Sequence, residues 1–259
     1  MSDLLDLKDK VVIVTGGTMG AGKGIAERFL EMGAHVTVCA RNAPAEPIAV
    51  DGREAVFVEA NVRKPEDIDR VIDDVVQRHG RLDVLVNNAG GSPPADAATA
   101  SPRFSASIID LNLTAPLNFA QKANAIMQKQ DAGGCIINIG SVSGVRPSPE
   151  TAVYGAAKAG LMNLTTSLAV EWAPKVRVNT MAVGPILTEK ADVHFGDGNI
   201  REAVERTVPM GRMATPRDVA DVCLFLASPL ASYVTGANVL LHGGGEWPAF
   251  LRASKGEDA

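Results

Sequence analysis

Val11-Val12-Ile13-Val14-Thr15-Gly16-Gly17-Thr18-Met19-Gly20-Ala21-Gly22 passes from a β-branched run into a glycine-rich one. The apolar run fits a short buried strand. The residues that follow carry Ile25, Ala26, Phe29 and Leu30 at helical spacing and stop near Gly33. A strand, a glycine turn and a helix in that order form the opening unit of a doubly wound α/β fold. The glycines permit a tight turn and close backbone approach, and the helix N-terminus offers N–H groups and positive dipole to a pyrophosphate. The spacing Gly16, Gly20, Gly22 departs from G-x-G-x-x-G, although Gly24 keeps the turn crowded with glycine. A turn with a purely structural role is the competing reading at this point.

Working outward, Val36 to Ala40 reads as a second strand ending at Arg41-Asn42. In this fold an acid at that end receives the 2′-hydroxyl of NAD, and an arginine accommodates the 2′-phosphate of NADP. No acid lies between His35 and Pro44, and Arg41 does. Further strands are predicted at Ala55–Val58, Leu82–Val86, Ile136–Ile139, Val176–Val183 and Ala237–Leu241. Helices are predicted at Pro65–Arg78, Ile108–Met127, Ala152–Trp172 and around Val219–Leu226. Gly91 to Arg103, rich in Pro, Ala and Ser, reads as a loop at a site mouth. The alternation predicts one doubly wound, Rossmann-type domain over 1–259, with a parallel sheet of about seven strands covered by helices on both faces.

Composition narrows the function. The net charge of −5 and the lack of a basic stripe argue against a nucleic-acid partner. No apolar run approaches the roughly 18 residues of a membrane helix. Cys39, Cys135 and Cys223 lie singly in apolar segments, and Met1 to Asp6 lacks the basic and apolar regions of a signal peptide. Both point to a reducing, cytoplasmic setting, with neither disulfides nor a metal site.

A second stretch carries chemistry. Ile136-Ile137-Asn138-Ile139-Gly140-Ser141 reads as a strand, and Tyr154-Gly155-Ala156-Ala157-Lys158 opens a helix with Leu161, Leu164 and Leu168 on its apolar face. Tyr154 and Lys158, one turn apart, share a face. A cation beside a phenol favours phenolate and lowers its pKa, which makes Tyr154 a candidate general acid or base. Ser141 is placed to donate a hydrogen bond to the same substrate oxygen.

Together these features resemble the main branch of the short-chain dehydrogenase/reductase family over nearly the whole chain. Thr15-Gly16-x-x-x-Gly20-x-Gly22 matches its cofactor motif, and Asn87-Asn88-Ala89-Gly90 its motif after the fourth strand. Asn112, Ser141, Tyr154 and Lys158 match its catalytic tetrad, with Ser141 thirteen positions before Tyr154; Ser143 is two short of that spacing. Arg212, Pro216 and Ser232-Tyr233-Val234-Thr235-Gly236 are similar to its C-terminal half. The resemblance implies a carbonyl–alcohol oxidoreductase using NAD(P)(H), with NADP(H) favoured by Arg41 and NAD(H) possible. Ser141 then polarises the carbonyl, Tyr154 exchanges the proton, Lys158 binds the nicotinamide ribose, and Asn112 holds a relay water. The implied cofactor contacts are Gly16, Thr18, Met19, Gly20, Ala21, Arg41, Asn61, Val62, Asn88, Ala89, Gly90, Tyr154, Lys158, Pro185, Ile186 and Thr188.

Three positions depart from the family pattern: Gly184-Pro185 for Pro-Gly, Asn61 for the acid that meets adenine, and His242-Gly243-Gly244 for Asp-Gly-Gly. His242-Gly243-Gly244-Gly245 also resembles a hydrolase oxyanion motif, but no Gly-x-Ser-x-Gly elbow follows it. A non-catalytic dinucleotide-binding or sensor protein is the stronger alternative, and an intact tetrad argues against it. The substrate-covering segment is placed at 186–213, with Val193, His194, Phe195, Ile200, Val204 and Met210 as candidate lining. Small residues (Gly155, Ala156, Ala157, Ala159 and Gly160; Ala115, Leu117, Ala120 and Ala123) predict helix pairing between subunits, as the family implies, in a homotetramer or homodimer. In the tail, 243–259, Trp247, Phe250 and Leu251 are expected to pack on the body or on a neighbouring subunit, and Lys255 to Ala259 to be mobile.

Overall fold

The computed structural model describes residues 5–189 and 198–256. In chain order the elements are β1 (Val11–Thr15), α1 (Gly20–Glu31), β2 (His35–Ala40), a small hairpin of β3 (Ala49–Val50) and β4 (Arg53–Glu54), β5 (Val56–Glu59), α2 (Pro65–His79) and β6 (Val84–Asn87). Then come α3 (Pro102–Ile109), a π-helical segment (Asp110–Thr114), α4 (Ala115–Met127), β7 (Gly134–Ile139), α5 (Ala152–Trp172) and β8 (Val176–Val183). The described chain closes with α6 (Gly198–Thr207), α7 (Pro216–Ala227), β9 (Asn238–Leu241) and α8 (Ala249–Ser254).

Seven strands pair in the order β5-β2-β1-β6-β7-β8-β9, all parallel. The strand order reverses between β1 and β6, and such a switch point opens a crevice at the carboxyl ends of the two strands. Alternate side chains of each strand feed opposite faces. Val12, Val14, Val36 and Val38 pack with Ile25, Phe29, Val219 and Leu224 of α1 and α7. Val11, Ile13, Leu85 and Ile136 pack with Val71, Phe119 and Leu168 of α2, α4 and α5. Burial on both faces explains why the strands read as continuous apolar runs. The thiols of Cys39 on β2, Cys135 on β7 and Cys223 on α7 are free and buried in these layers. Burial pushes the Cys39 pKa up to about 12 and raises those of Cys135 and Cys223.

Several sequence expectations are corrected. The strand expected at Ala55–Val58 runs Val56–Glu59, and the one expected at Leu82–Val86 runs Val84–Asn87. The loop expected from Gly91 to Arg103 ends at Ser101, whose hydroxyl accepts from Phe104 N at 3.1 Å and caps α3. The helix expected over Ile108–Met127 begins earlier and is broken by the π-helical turn around Asn112.

The small residues invoked for helix pairing have uses within the chain. A Cβ on Gly155 would lie 2.7 Å from Ser143 O, and one on Gly160 3.2 Å from Leu113. Ala115, Ala120 and Ala123 pack in the core against the sheet and Ala157 on α5 is buried, so Ala156 and Ala159 remain exposed. The tail does not bury its apolar residues on the described body: Trp247 is 49 % and Phe250 70 % exposed. Lys255, expected to be mobile, holds its ammonium 5.5 Å from the Trp247 ring.

Candidate active site

The glycine turn after β1 is fixed from the neighbouring strand. Thr15 Oγ1 accepts from the backbone N–H groups of Asn88 and Ala89, each at 3.0 Å. Asn88 Nδ2 donates back to Thr15 O at 2.9 Å and Gly16 O at 3.1 Å. Gly16 adopts φ 64°, and a Cβ on Gly22 would overlap Gly16 O and Asn88 Nδ2, so the turn requires glycine at both positions. At the start of α1, the amides of Gly20, Ala21 and Gly22 precede the bond from Lys23 N to Met19 O at 3.1 Å. Gly20 N donates to the Glu189 carboxylate at 2.8 Å.

This turn floors a cleft of about 1070 Å3 at the β1–β6 switch point. Of the sequence-predicted contacts, Gly16, Thr18, Met19, Ala21 and Arg41 line it, as do Asn61, Val62, Asn88, Ala89 and Gly90. Gly20 borders it through Glu189. Sequence reasoning missed Glu189, Lys23, Asn42 and Arg63, which also line the cleft. Glu189 carries no local signal beyond following Thr188. Pro185 instead faces a separate cavity of about 210 Å3 with Met210, Arg212 and His242. Ile186 bridges to Ala214, and Thr188 lies over α1, 3.5 Å from where a Gly20 Cβ would sit. Of the candidate substrate lining, Ile200 is 56 % exposed, while Val193, His194 and Phe195 lie outside the described residues.

Asn112, Ser141, Tyr154 and Lys158 converge beside Gly90. A Cβ on Gly90 would lie 2.7 Å from Asn112 Oδ1 and 3.2 Å from Lys158 Nζ. The π-helical turn aims the buried Asn112 carboxamide inward. It accepts from Gly91 N and donates to Gly91 O and Ile108 O, all at 2.9 Å. Ser141 follows β7 by two residues, and its Oγ accepts from Ser143 N at 3.1 Å, so Ser143 contributes backbone to the Ser141 turn. Lys158 is buried, with Nζ donating to Ile139 O at 2.7 Å and lying 5.7 Å from the Tyr154 ring centroid.

Electrostatics correct one expectation. Burial raises the Tyr154 pKa, and a hydrogen bond with Ser141 opposes that rise. The net lowering expected from Lys158 is not seen, and Lys158 is itself desolvated, its pKa falling to about 8. Among the described residues no cluster of His, Cys, Asp or Glu is arranged to hold a metal, and no helix is long and apolar enough to cross a membrane.

A family model described as enoyl-(acyl carrier protein) reductase matches residues 16–246. A 3β-hydroxysteroid dehydrogenase of Eggerthella lenta is 37 % identical, over 92 % of this chain and 94 % of its own length. The chain belongs to the short-chain dehydrogenase/reductase family. An uncharacterized oxidoreductase of Mycobacterium tuberculosis is 35 % identical over 95 % of both chains. Among solved short-chain dehydrogenases/reductases, one from Mycobacterium marinum superposes with a TM-score of 0.87 at 32 % identity, covering 95 % of this chain and 99 % of that one. The aldohexose dehydrogenase of Thermoplasma acidophilum superposes with a TM-score of 0.86 at 31 % identity, covering 93 % and 95 %. The protein is an oxidoreductase of this family.

Proposed function

We propose that this short-chain dehydrogenase/reductase interconverts a ketone or aldehyde with an alcohol, prefers NADP(H), and uses Tyr154 as general acid and base. The observation that carries the reading is the convergence of Ser141 and Lys158 on Tyr154, with Lys158 Nζ 5.7 Å from the phenol ring, beside a cleft of dinucleotide size. The site suits a dinucleotide. Glycine at position 22 lets the turn close tightly on Gly16 and Asn88, the α1 amides present donors, and Arg41 lies in the cleft wall for a 2′-phosphate. When bound, the nicotinamide supplies the hydride.

The chain's residues supply the rest. Ser141 Oγ–H donates to the carbonyl oxygen and Tyr154 Oη–H transfers its proton to the same oxygen during reduction; oxidation reverses the transfer. Lys158 holds the nicotinamide ribose, and a protonated ammonium there stabilises the phenolate left on Tyr154. Asn112 fixes the Gly91 backbone at the wall of the site and holds the relay water through which Tyr154 is reprotonated. Proton transfer of this kind contributes roughly 10²–10⁴-fold.

A panel of D-glucose, a 3β-hydroxysteroid and cyclohexanone, each with NADP(H) and NAD(H), tests the reading. Tyr154→Phe should retain cofactor binding by calorimetry and lose at least about 10²-fold in kcat. A variant with near-normal kcat removes Tyr154 from the chemistry. Cofactor binding without turnover of any carbonyl or alcohol would favour the non-catalytic alternative.

A further inference from the structure

Beneath the Ser141–Tyr154–Lys158 group runs a line of buried polar side chains that the chemistry above does not use. Asn87 is 3 %, Asn138 1 %, Thr165 1 % and Thr180 0 % exposed, within layers otherwise filled by aliphatic residues. Polar groups are costly there unless each finds a partner. All four do.

Donor counting fixes the direction of every bond. A threonine hydroxyl has one proton to give. That of Thr165 goes to Leu161 O at 2.8 Å. Thr165 Oγ1 must then accept from Asn138 Nδ2 at 2.9 Å and from Thr180 Oγ1 at 2.6 Å. Asn138 Oδ1 accepts from Asn87 Nδ2 at 2.9 Å, and Asn87 Nδ2 also donates to Pro116 O at 3.1 Å. Flipping the Asn138 amide would set N–H against N–H at Asn87 and oxygen against a protonless face at Thr165.

Asn87, Asn138 and Thr165 each sit on an element that carries or leads into site residues. Asn87 ends β6, directly before Asn88-Ala89-Gly90, and Pro116 on α4 follows Asn112 by four residues. Asn138 on β7 precedes Ser141 by three, and Thr165 on α5 follows Lys158 by seven, two turns along the same face. Lys158 in turn donates to Ile139 O, the residue beside Asn138. One carboxamide therefore ties β7, which leads to Ser141, to both β6 and α5.

We propose that Asn138 is a positioning residue for the reaction, holding β7 in register with β6 and α5 so that Ser141 meets Tyr154 and Ile139 O meets Lys158. The proposal rests on the tetrad roles given above. Apolar packing is non-directional and tolerates a slide of α5 along β7. Hydrogen bonds weaken steeply when misaligned. A displacement of about 1 Å at a reacting group can cost about 10²-fold in rate.

The test uses Asn138→Leu, Thr165→Val and the apolar triple variant Asn87→Leu/Asn138→Leu/Thr165→Val. The single variants orphan buried partners and should lower Tm; the triple removes the partners together and should regain much of it. Positioning predicts that kcat on whichever panel compound turns over falls roughly 10- to 100-fold in all three, the triple included. The NADPH Kd should stay within about threefold of wild type, since Asn138 lies outside the cleft lining. A readout free of substrate comes from phenolate absorbance. The chain has two tyrosines, and the difference against Tyr154→Phe isolates the signal of Tyr154. Its titration should move to higher pH in the variants as the Ser141 hydrogen bond weakens. Recovery of kcat with Tm in the triple, or an unmoved Tyr154 titration in variants that fold, overturns the proposal. Should Tyr154→Phe keep its activity, the tetrad reading falls instead, whatever the Asn138 variants do.

Discussion

Lys158 Nζ faces the carbonyl of Ile139 at 2.7 Å rather than the Tyr154 hydroxyl. With a backbone carbonyl as its hydrogen-bond partner, the ammonium bears the cost of burial, and its pKa falls from 10.5 to about 8. Between those values the unfolded chain binds a proton that the folded chain does not, so folding stability rises with pH across that window. Tyr154 acts oppositely, but only above its ordinary pKa of 10, because its folded pKa is raised. Thermal unfolding of wild type should therefore gain in Tm from about pH 8 to pH 10 relative to Lys158→Met. Parallel curves would mean that the amine is not desolvated.

Arg41 stands at the end of β2 in the wall of the cleft. Charge-assisted bonds to a phosphate are worth about 1.5–3 kcal/mol, which a ribose hydroxyl does not match. Arg41→Ala should weaken NADPH by roughly 10- to 100-fold and leave NADH within a factor of about 3. Calorimetry decides it: tighter NADH than NADPH binding by the unmodified protein would overturn the NADP(H) preference.

Gly22→Ala places a methyl against Gly16 O and Asn88 Nδ2, backbone and side chain of the same turn. Neither can yield without breaking the Asn88 bonds to Thr15 O and Gly16 O. Denaturant unfolding should show a loss of about 1–3 kcal/mol, with weaker binding of both cofactors. Gly198→Ala, with nothing within 4 Å of the added methyl, serves as the near-neutral control.

Removing everything after Gly245 tests the tail. Arg146 pairs with Glu246 at 2.8 Å, an exposed contact of small worth. Trp247 and Phe250 are largely uncovered by their own chain. The truncation should therefore change sedimentation and substrate preference more than it changes Tm under conditions that hold the protein monomeric. Unchanged mass and kinetics would leave the tail without a role in assembly or in the site.

The strands were legible because a buried parallel sheet needs β-branched residues on both faces, as at Val11–Val14 and Val176–Val183. α5 was legible to the residue, bounded by Thr151 and Ala173. The β3–β4 hairpin was overlooked although Asp51-Gly52, at φ 50° and 76°, is a strong turn signal. Its two-residue arms are too short to show alternation. The π-helical turn was hidden because one added residue barely disturbs an apolar stripe. In the site, spacing placed Tyr154 and Lys158 on one face, but it carries no measure of desolvation, so the sign of the tyrosine shift came out wrong. The partner of Lys158 is a backbone carbonyl, and a carbonyl has no letter in the sequence.

Three thiols sealed in the sheet layers give this chain an internal clock for opening. Cys39 on β2 lies in one core layer, while Cys135 on β7 and Cys223 on α7 share the other, so the set reports on both faces of the sheet. A maleimide or disulfide reagent needs the thiolate, and burial suppresses both access and ionisation. The intact protein should thus be silent to such reagents, and the labelling rate of each cysteine, read by mass, becomes the opening rate of its neighbourhood. Gly16 N donates to the Cys39 carbonyl at 2.8 Å at the base of the glycine turn, so the Cys39 rate will slow when the cleft above is filled. The protein can in this way register occupancy of its cleft without a dye, a tag or a known substrate.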